Sequence, residues 1–262
     1  MPAATIIRWL VPMNADPFIN PVAGAAIAHL PALRTRADAE FPAALFIWLS
    51  PAFPVGAFAY SHGLERAAEQ GSVKDRATLT AWIGDLLALG SARNDLIVLA
   101  AAWRASGAGE EARLAETAEL ALALQTSAER RLEAVGQGEA FIAAIRASWP
   151  CDAVERLKAV WTGEVAYPVA VGVAAAGHDL ALAATLEAYA LAFASNLVSA
   201  ALRLSLIGHT DGQRVLADLL PTIASTARLA AGASIDDVGS ATFASDLAAI
   251  QHETQSARLF RT

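Results

Sequence analysis

The residues best placed for chemistry fall in one short stretch, "LSPAFPVGAFAYSHGLE" (residues 49–65), where Ser61 stands beside His62 among prolines, glycines and aromatics. Ala59-Tyr60-Ser61-His62-Gly63 is one residue away from G-x-S-x-G, the turn that lifts a nucleophilic serine above a parallel sheet for acyl transfer. That turn needs a strand ahead of it. Pro54-Val55-Gly56 is no central strand, because proline has no N–H to give to a ladder. A serine hydrolase using Ser61 therefore stays as the alternative reading, and a strand before Pro54 is what would favour it. Metal chemistry has less to work with. The histidines are His29, His62, His178, His209 and His252, with no pair at i, i+2 or i, i+4, and Cys151 is the single cysteine. A tight zinc or nickel site wants three or four convergent nitrogen or sulfur ligands. His252-Glu253 opens like H-E-x-x-H, but position 256 is serine. Gly107-Ala108-Gly109 and Gly136-Gln137-Gly138 lack the Lys-Ser/Thr ending of a phosphate loop. No catalytic residue, cofactor or metal ligand is expected, and the chain does not read as an enzyme.

The elements that must position this stretch are helices. Apolar residues recur at helical spacing, and strand alternation is nearly absent. Helices are expected over residues 43–50, 64–70, 75–87, 94–103, 110–125 and 129–135, then a break at Gly136-Gln137-Gly138. More follow over residues 141–149, 152–161, 168–177, 180–207, 213–219, 222–231 and 241–256. Asp75 is expected to cap the helix that follows it, and Ser61 to cap the one after the quoted stretch. Pro168 favours a first helical turn, so valine-rich "AYPVAVGVAAAG" is read as helix rather than strand. The outcome is an all-α, single-domain multi-helix bundle of about ten helices. It divides into a poorly ordered extension (1–41), a helical core (42–239) and a C-terminal helix with a tail (240–262).

Composition narrows the function classes. The chain has 262 residues, 55% hydrophobic and only 17% charged, with a mean hydropathy of +0.41. Much of that apolar fraction is alanine, the strongest helix former. A net charge of −7 and a pI of 5.2 argue against a nucleic-acid partner, which needs a basic footprint. A membrane span takes about 20 consecutive apolar residues. Residues 188–202 are bounded by Glu187 and Arg203 and interrupted by Ser195, Asn196 and Ser199. A buried helix in a cytoplasmic protein is the expected reading, with an alanine-rich membrane-associated bundle as the other alternative.

Two features suggest a surface read by another protein. In the last helix Phe243, Leu247 and Ile250 form one apolar stripe, expected to pack. Leu259, nine residues after Ile250, falls on the opposite side. Leu259 and Phe260, flanked by Arg258 and Arg261, are thus either a docking anchor or a frayed end. In the central helix Asn196, Ser199 and Arg203 make a polar line, either a solvent-facing edge or a polar seam at an interface; Gln213 is grouped with it.

Read together, "LSPAFPVGAFAYSHGLE", "QTSAERRLEAVGQG" (125–138), "LRLSLIGHTDGQ" (202–213) and "HETQSARLFRT" (252–262) resemble the urease accessory protein UreF family, over residues 42–262. The resemblance implies a non-catalytic, dimer-forming helical scaffold. It would assemble with a UreD/UreH-type accessory protein and the UreG GTPase to deliver nickel to the urease apoprotein in the cytoplasm. It implies partner-binding roles for Phe58, Tyr60 and His62 in the loop, and for Arg258, Leu259, Phe260 and Arg261 in the tail. Phe58 stands where members often carry tyrosine, a place linked to recruiting the GTPase, and Tyr60 is the candidate substitute. His209 replaces an expected glutamine.

Overall fold

A computed structural model describes residues 42–262; the expected N-terminal extension lies outside the described residues. Eleven α-helices follow one another with no strand among the described residues. They are α1 (Ala43–Trp48), α2 (Leu64–Glu69), α3 (Arg76–Leu89), α4 (Ser91–Ala108), α5 (Glu111–Ala123), α6 (Ala128–Ser148), α7 (Asp152–Val160), α8 (Tyr167–Gly177), α9 (Leu182–Arg203), α10 (His209–Ala230) and α11 (Phe243–His252). The all-α expectation holds, including helix over the valine-rich segment that becomes α8. Pro168 sits in the first turn of α8, and Pro168–Ala175 are buried on every side. A helix apolar all round belongs at the centre of a bundle, and α4 and α6 pack against this one.

Three of the differences from the sequence reading have a physical reason in the structure. The Gly136-Gln137-Gly138 triplet does not break the chain, since α6 runs unbroken through it. A Cβ on Gly138 would lie 2.0 Å from the Val165 carbonyl oxygen. The glycine is there to let the chain entering α8 press onto α6. Pro221 likewise lies inside α10. The carbonyl that it deprives of a donor belongs to exposed Ala217, which water can serve. Third, α4 starts at Ser91 rather than at Asn94, whose side chain accepts from the Gly239 N–H at 2.9 Å. Asp75 caps α3 as expected, in a capping box closed by Thr78.

By length and hydropathy alone, Arg76–Ala108 and α9 would pass for membrane spans. Here α3 and α4 turn at Gly90 and bury Ile83, Leu87, Leu96 and Leu99, while α9 buries Leu186, Ala190, Leu197 and Ala201. These buried rows are the faces that the helices turn to the bundle core, and α9 leaves Glu187, Leu191 and Ser199 exposed on its other side.

Candidate functional site

The opening loop and the chain end, 200 positions apart, are bonded to each other. The Arg261 N–H donates to the Ala59 carbonyl at 2.8 Å, and the Ser61 N–H to the Thr262 carbonyl at 2.9 Å. The Ser61 hydroxyl donates to that same carbonyl and accepts the Glu65 N–H at 3.3 Å. It thus takes one N–H of the first turn of α2 while fastening the tail, although the cap position itself is Gly63 and not Ser61 as expected. His62 and Gly63 then take positive φ, 59° and 77°. The left-handed region costs a residue with a Cβ about 1 kcal/mol, which the contacts around His62 offset. A Cβ on Gly63 would sit 3.0 Å from the Ala249 amide nitrogen. This is where α11 meets the turn.

Beneath this pairing lies a layer of buried charge drawn from α2 and α6. Glu65 accepts the N–H groups of Leu259 (2.7 Å) and Phe260 (3.0 Å). His252 bridges two carboxylates, with Nε2 3.1 Å from Glu65 and Nδ1 2.6 Å from Glu129. Arg258 donates to the other Glu129 oxygen at 2.6 Å. One turn along α6, Arg130 donates to Glu133 at 2.5 Å and also reaches His62 Nδ1. The Thr262 hydroxyl donates to Glu133 (3.2 Å) and accepts the His62 N–H (3.3 Å). Arginine can only donate, so Nδ1 of His62 accepts, and its Nε2–H donates to the Ser91 hydroxyl at 2.6 Å. With Ser61 tied to the chain end and both His62 nitrogens engaged, no nucleophile–base pair exists here, and among the described residues no strand precedes Pro54.

These surroundings fix protonation. Burial first, and then the Arg130 charge, hold His62 down to about 4. Burial works to raise Glu133, but the Arg130 charge, with help from His62 and the Thr262 hydroxyl, outweighs it and leaves the carboxyl at about 2. Both depressed values stabilise the fold at neutral pH. The His62 contribution is lost as pH falls from 6.5 through 4, and that of Glu133 as pH falls from 4.5 through 2.

Asp95 on α4 behaves oppositely. Burial raises it to about 6, against smaller opposing effects of Arg130 and the hydrogen bond from Tyr189. Its charge therefore costs stability, and that cost grows as pH rises from 3.8 through 6. Asp95→Asn keeps an acceptor for Tyr189 and is expected to stabilise the protein by about 2–3 kcal/mol at pH 7.5. The gain should shrink to about 1 kcal/mol at pH 4.5, measured as melting temperatures of the two proteins across that range.

The structure brings together most of the residues singled out from sequence, though not as a surface. Phe58 is 68% and Leu259 61% exposed, and Arg261 is exposed as well. Tyr60, by contrast, is buried, with its hydroxyl against Gly136. The backbone turns extended at Tyr60 and carries the ring inward. His62 and Phe260 are buried too. The tail is neither frayed nor wholly free, since Arg258 is paired and Phe260 lies under the Arg203 guanidinium at 4.2 Å.

The polar line on α9 serves the same assembly. Asn196 donates to the Tyr60 carbonyl at 3.3 Å, Arg203 covers Phe260, and the carbonyl of exposed Ser199 accepts from Arg203 at 3.4 Å. Gln213 is exposed on α10 and gives the cluster no hydrogen bond. The stripe of α11 is turned about: Phe243, Leu247 and Ile250 face outward, and Ser245, Ala248, Ala249 and His252 face in. The small inward residues allow the close contact with Gly63.

Sequence reasoning gave no role to the carboxylate layer: Glu129, Arg130 and Glu133 entered only as part of the 125–138 resemblance, and Glu65, Asp95 and Thr262 were not singled out. A signal was present on α6, where Arg130, Glu133, Gln137, Phe141 and Ile145 are three or four apart, hence on one face, and all buried. Among the described residues, no group of three His, Cys, Asp or Glu is arranged to hold a metal ion.

The family model described as UreF matches residues 73–220. The urease accessory protein UreF of Xanthobacter autotrophicus is 53% identical over 218 residues, covering 83% of this chain and 90% of the relative. Those of Methylobacterium radiotolerans and Bradyrhizobium diazoefficiens are each 50% identical over 218 residues, with 95% and 90% of the relative covered. The chain belongs to the urease accessory protein UreF family.

Proposed function

We propose that this chain, a urease accessory protein and not an enzyme, acts as the scaffold on which the nickel-delivery machinery assembles. In this reading it recruits and regulates the UreG GTPase and bridges it to a UreD/UreH-type partner bound to the urease apoprotein. It does so as a homodimer in the cytoplasm, with nickel as cargo. The observation that carries the reading is the locked pairing of loop and tail. It fixes Phe58 and Leu259 as exposed apolar groups on backbone that buried hydrogen bonds hold rigid. A large apolar side chain on rigid backbone binds without the entropy cost of ordering it. The buried members, Tyr60, His62, Phe260 and Arg258 with its Glu129 partner, then act by holding that surface in shape.

The test is capture of purified UreG, UreD/UreH and urease apoprotein by the full chain. Phe58→Ala is expected to cut UreG capture at least tenfold with the melting temperature unchanged, since an exposed truncation costs within about 0.5 kcal/mol. Undiminished UreG capture by the variant would remove Phe58 from the recruiting surface. A melting temperature lowered by several degrees would make Phe58 a structural residue.

A further inference from the structure

Asp95 lies on the wall of a cavity of about 830 Å³, bounded by α1, the 49–65 loop, α6, α8, α9 and α10. That volume is in the range of small-molecule sites. Its mouth is apolar, formed by Phe46, Phe58, Leu191 and Leu220, all exposed. Its polar wall carries Asp95, Tyr167, Tyr189, Arg130, Glu133 and Gln137. The charges on this wall do not cancel. Arg130 is spent on Glu133 and His62, and no described cation lies within 4 Å of Asp95. One Asp95 oxygen takes the Tyr189 hydroxyl at 3.1 Å, which leaves the other free. The Tyr167 hydroxyl makes no hydrogen bond within the described protein, and its ring is tilted 40° to that of Tyr189 at 5.4 Å. A carboxylate oxygen with no partner among the described residues, on a cavity wall whose only other contact to it is the Tyr189 hydroxyl, is the counter-ion that an ammonium group needs.

We propose that this cavity binds an organic cation carried on an apolar stem, with Asp95 as its counter-ion, Tyr167 and Tyr189 on the wall beside the charged head and the phenylalanine-lined mouth around the stem. Other ligand classes fit less well. An anion would meet an unpaired carboxylate, because Arg130 is already neutralised. A divalent metal ion takes about six oxygen ligands, and although Glu187 also lines the cavity, no group of three His, Cys, Asp or Glu among the described residues is placed to hold one. A neutral ligand would leave Asp95 buried and uncompensated, which is costly.

The ammonium has two possible sources, a free amine or a lysine that a docked protein inserts. Calorimetry on the full chain tests the site itself, with 4-phenylbutylammonium chloride and the neutral 4-phenylbutan-1-ol as probes. The ammonium is expected to bind at least tenfold more tightly than the alcohol at pH 7.5. Asp95→Asn should lower ammonium binding at least tenfold and leave the alcohol unchanged. Binding should also fade below about pH 6 as Asp95 protonates. Of the other groups on this wall, His62 and Glu133 are held well below that range, at about 4 and about 2, and burial raises Tyr167 and Tyr189, while Glu187 lies on the exposed side of the lining. Equal affinity for the two probes, or an Asp95→Asn protein that binds the ammonium as the parent does, overturns the proposal. UreG capture in the presence of the ammonium probe then separates the sources. Capture reduced by the ammonium but not by the alcohol at equal occupancy identifies a lysine of the docked protein, and capture that the ammonium disturbs no more than the alcohol does identifies a free amine. The calorimetric result stands whether or not UreG is the partner.

Discussion

Replacing Glu65 with alanine is expected to destabilise the protein by about 3–5 kcal/mol, the range for breaking a buried charged network by removing one member. Glu65 is buried and accepts three donors at once: the Leu259 and Phe260 N–H groups and His252 Nε2. Alanine leaves two backbone donors of the tail without their acceptor, and each unsatisfied buried group costs about 1–3 kcal/mol. It also leaves His252, which has no exposed surface, with Glu129 alone. For a chain of this size the loss corresponds to a fall of roughly 10 °C in melting temperature. Local exchange should separate this from a general weakening. The amides of Leu259, Phe260 and Arg261 should lose protection in Glu65→Ala before those of α8 do. Glu65→Gln keeps one acceptor oxygen but turns an NH2 group toward donors, so it should fall between the two. A loss under 1 kcal/mol in Glu65→Ala would mean that packing of Phe260, not the carboxylate, holds the tail.

Glu65 also marks where sequence reasoning reaches its limit. The helical class, the buried place of α8 and the Asp75 cap were legible, because each rests on local periodicity or local chemistry, whereas α9, expected to be central, buries one side only. The carboxylate layer was not, since it depends on which segments meet. Glu65, Glu129 and His252 are scattered along the chain, and nothing in their spacing says that they share one site. The α6 face was half legible: the stripe of Arg130, Glu133 and Gln137 continues into Phe141 and Ile145, so polar residues stand where burial is expected. The α11 stripe shows the converse. Periodicity finds two stripes there, a large one at Phe243, Leu247 and Ile250 and a small one at Ser245, Ala248, Ala249 and His252. Hydrophobicity favours the first as the core face. The close approach of Gly63 to Ala249 selects the second, because only small side chains fit between the two backbones.

That inversion leaves an apolar helix face open, and its effect on assembly should be large. Phe243, Leu247 and Ile250 are 72%, 55% and 46% exposed. Truncating side chains so little involved in the core should change stability by no more than about 0.5 kcal/mol each. If a UreD/UreH-type partner covers this face, Phe243 and Leu247 become its buried anchors, and such residues carry 2 kcal/mol or more of binding energy each. The double variant Phe243→Ala, Leu247→Ala is therefore expected to weaken partner binding by roughly a hundredfold or more, with an unchanged melting temperature. Removing residues 243–262 altogether would be a poorer experiment. It takes away His252, Arg258 and Thr262 and strands the carboxylates of Glu65, Glu129 and Glu133, so lost binding could not be separated from lost folding. The point variants leave that layer intact. Titration of the double variant against the purified partner decides the matter: an affinity within threefold of the parent protein would place the partner on another face.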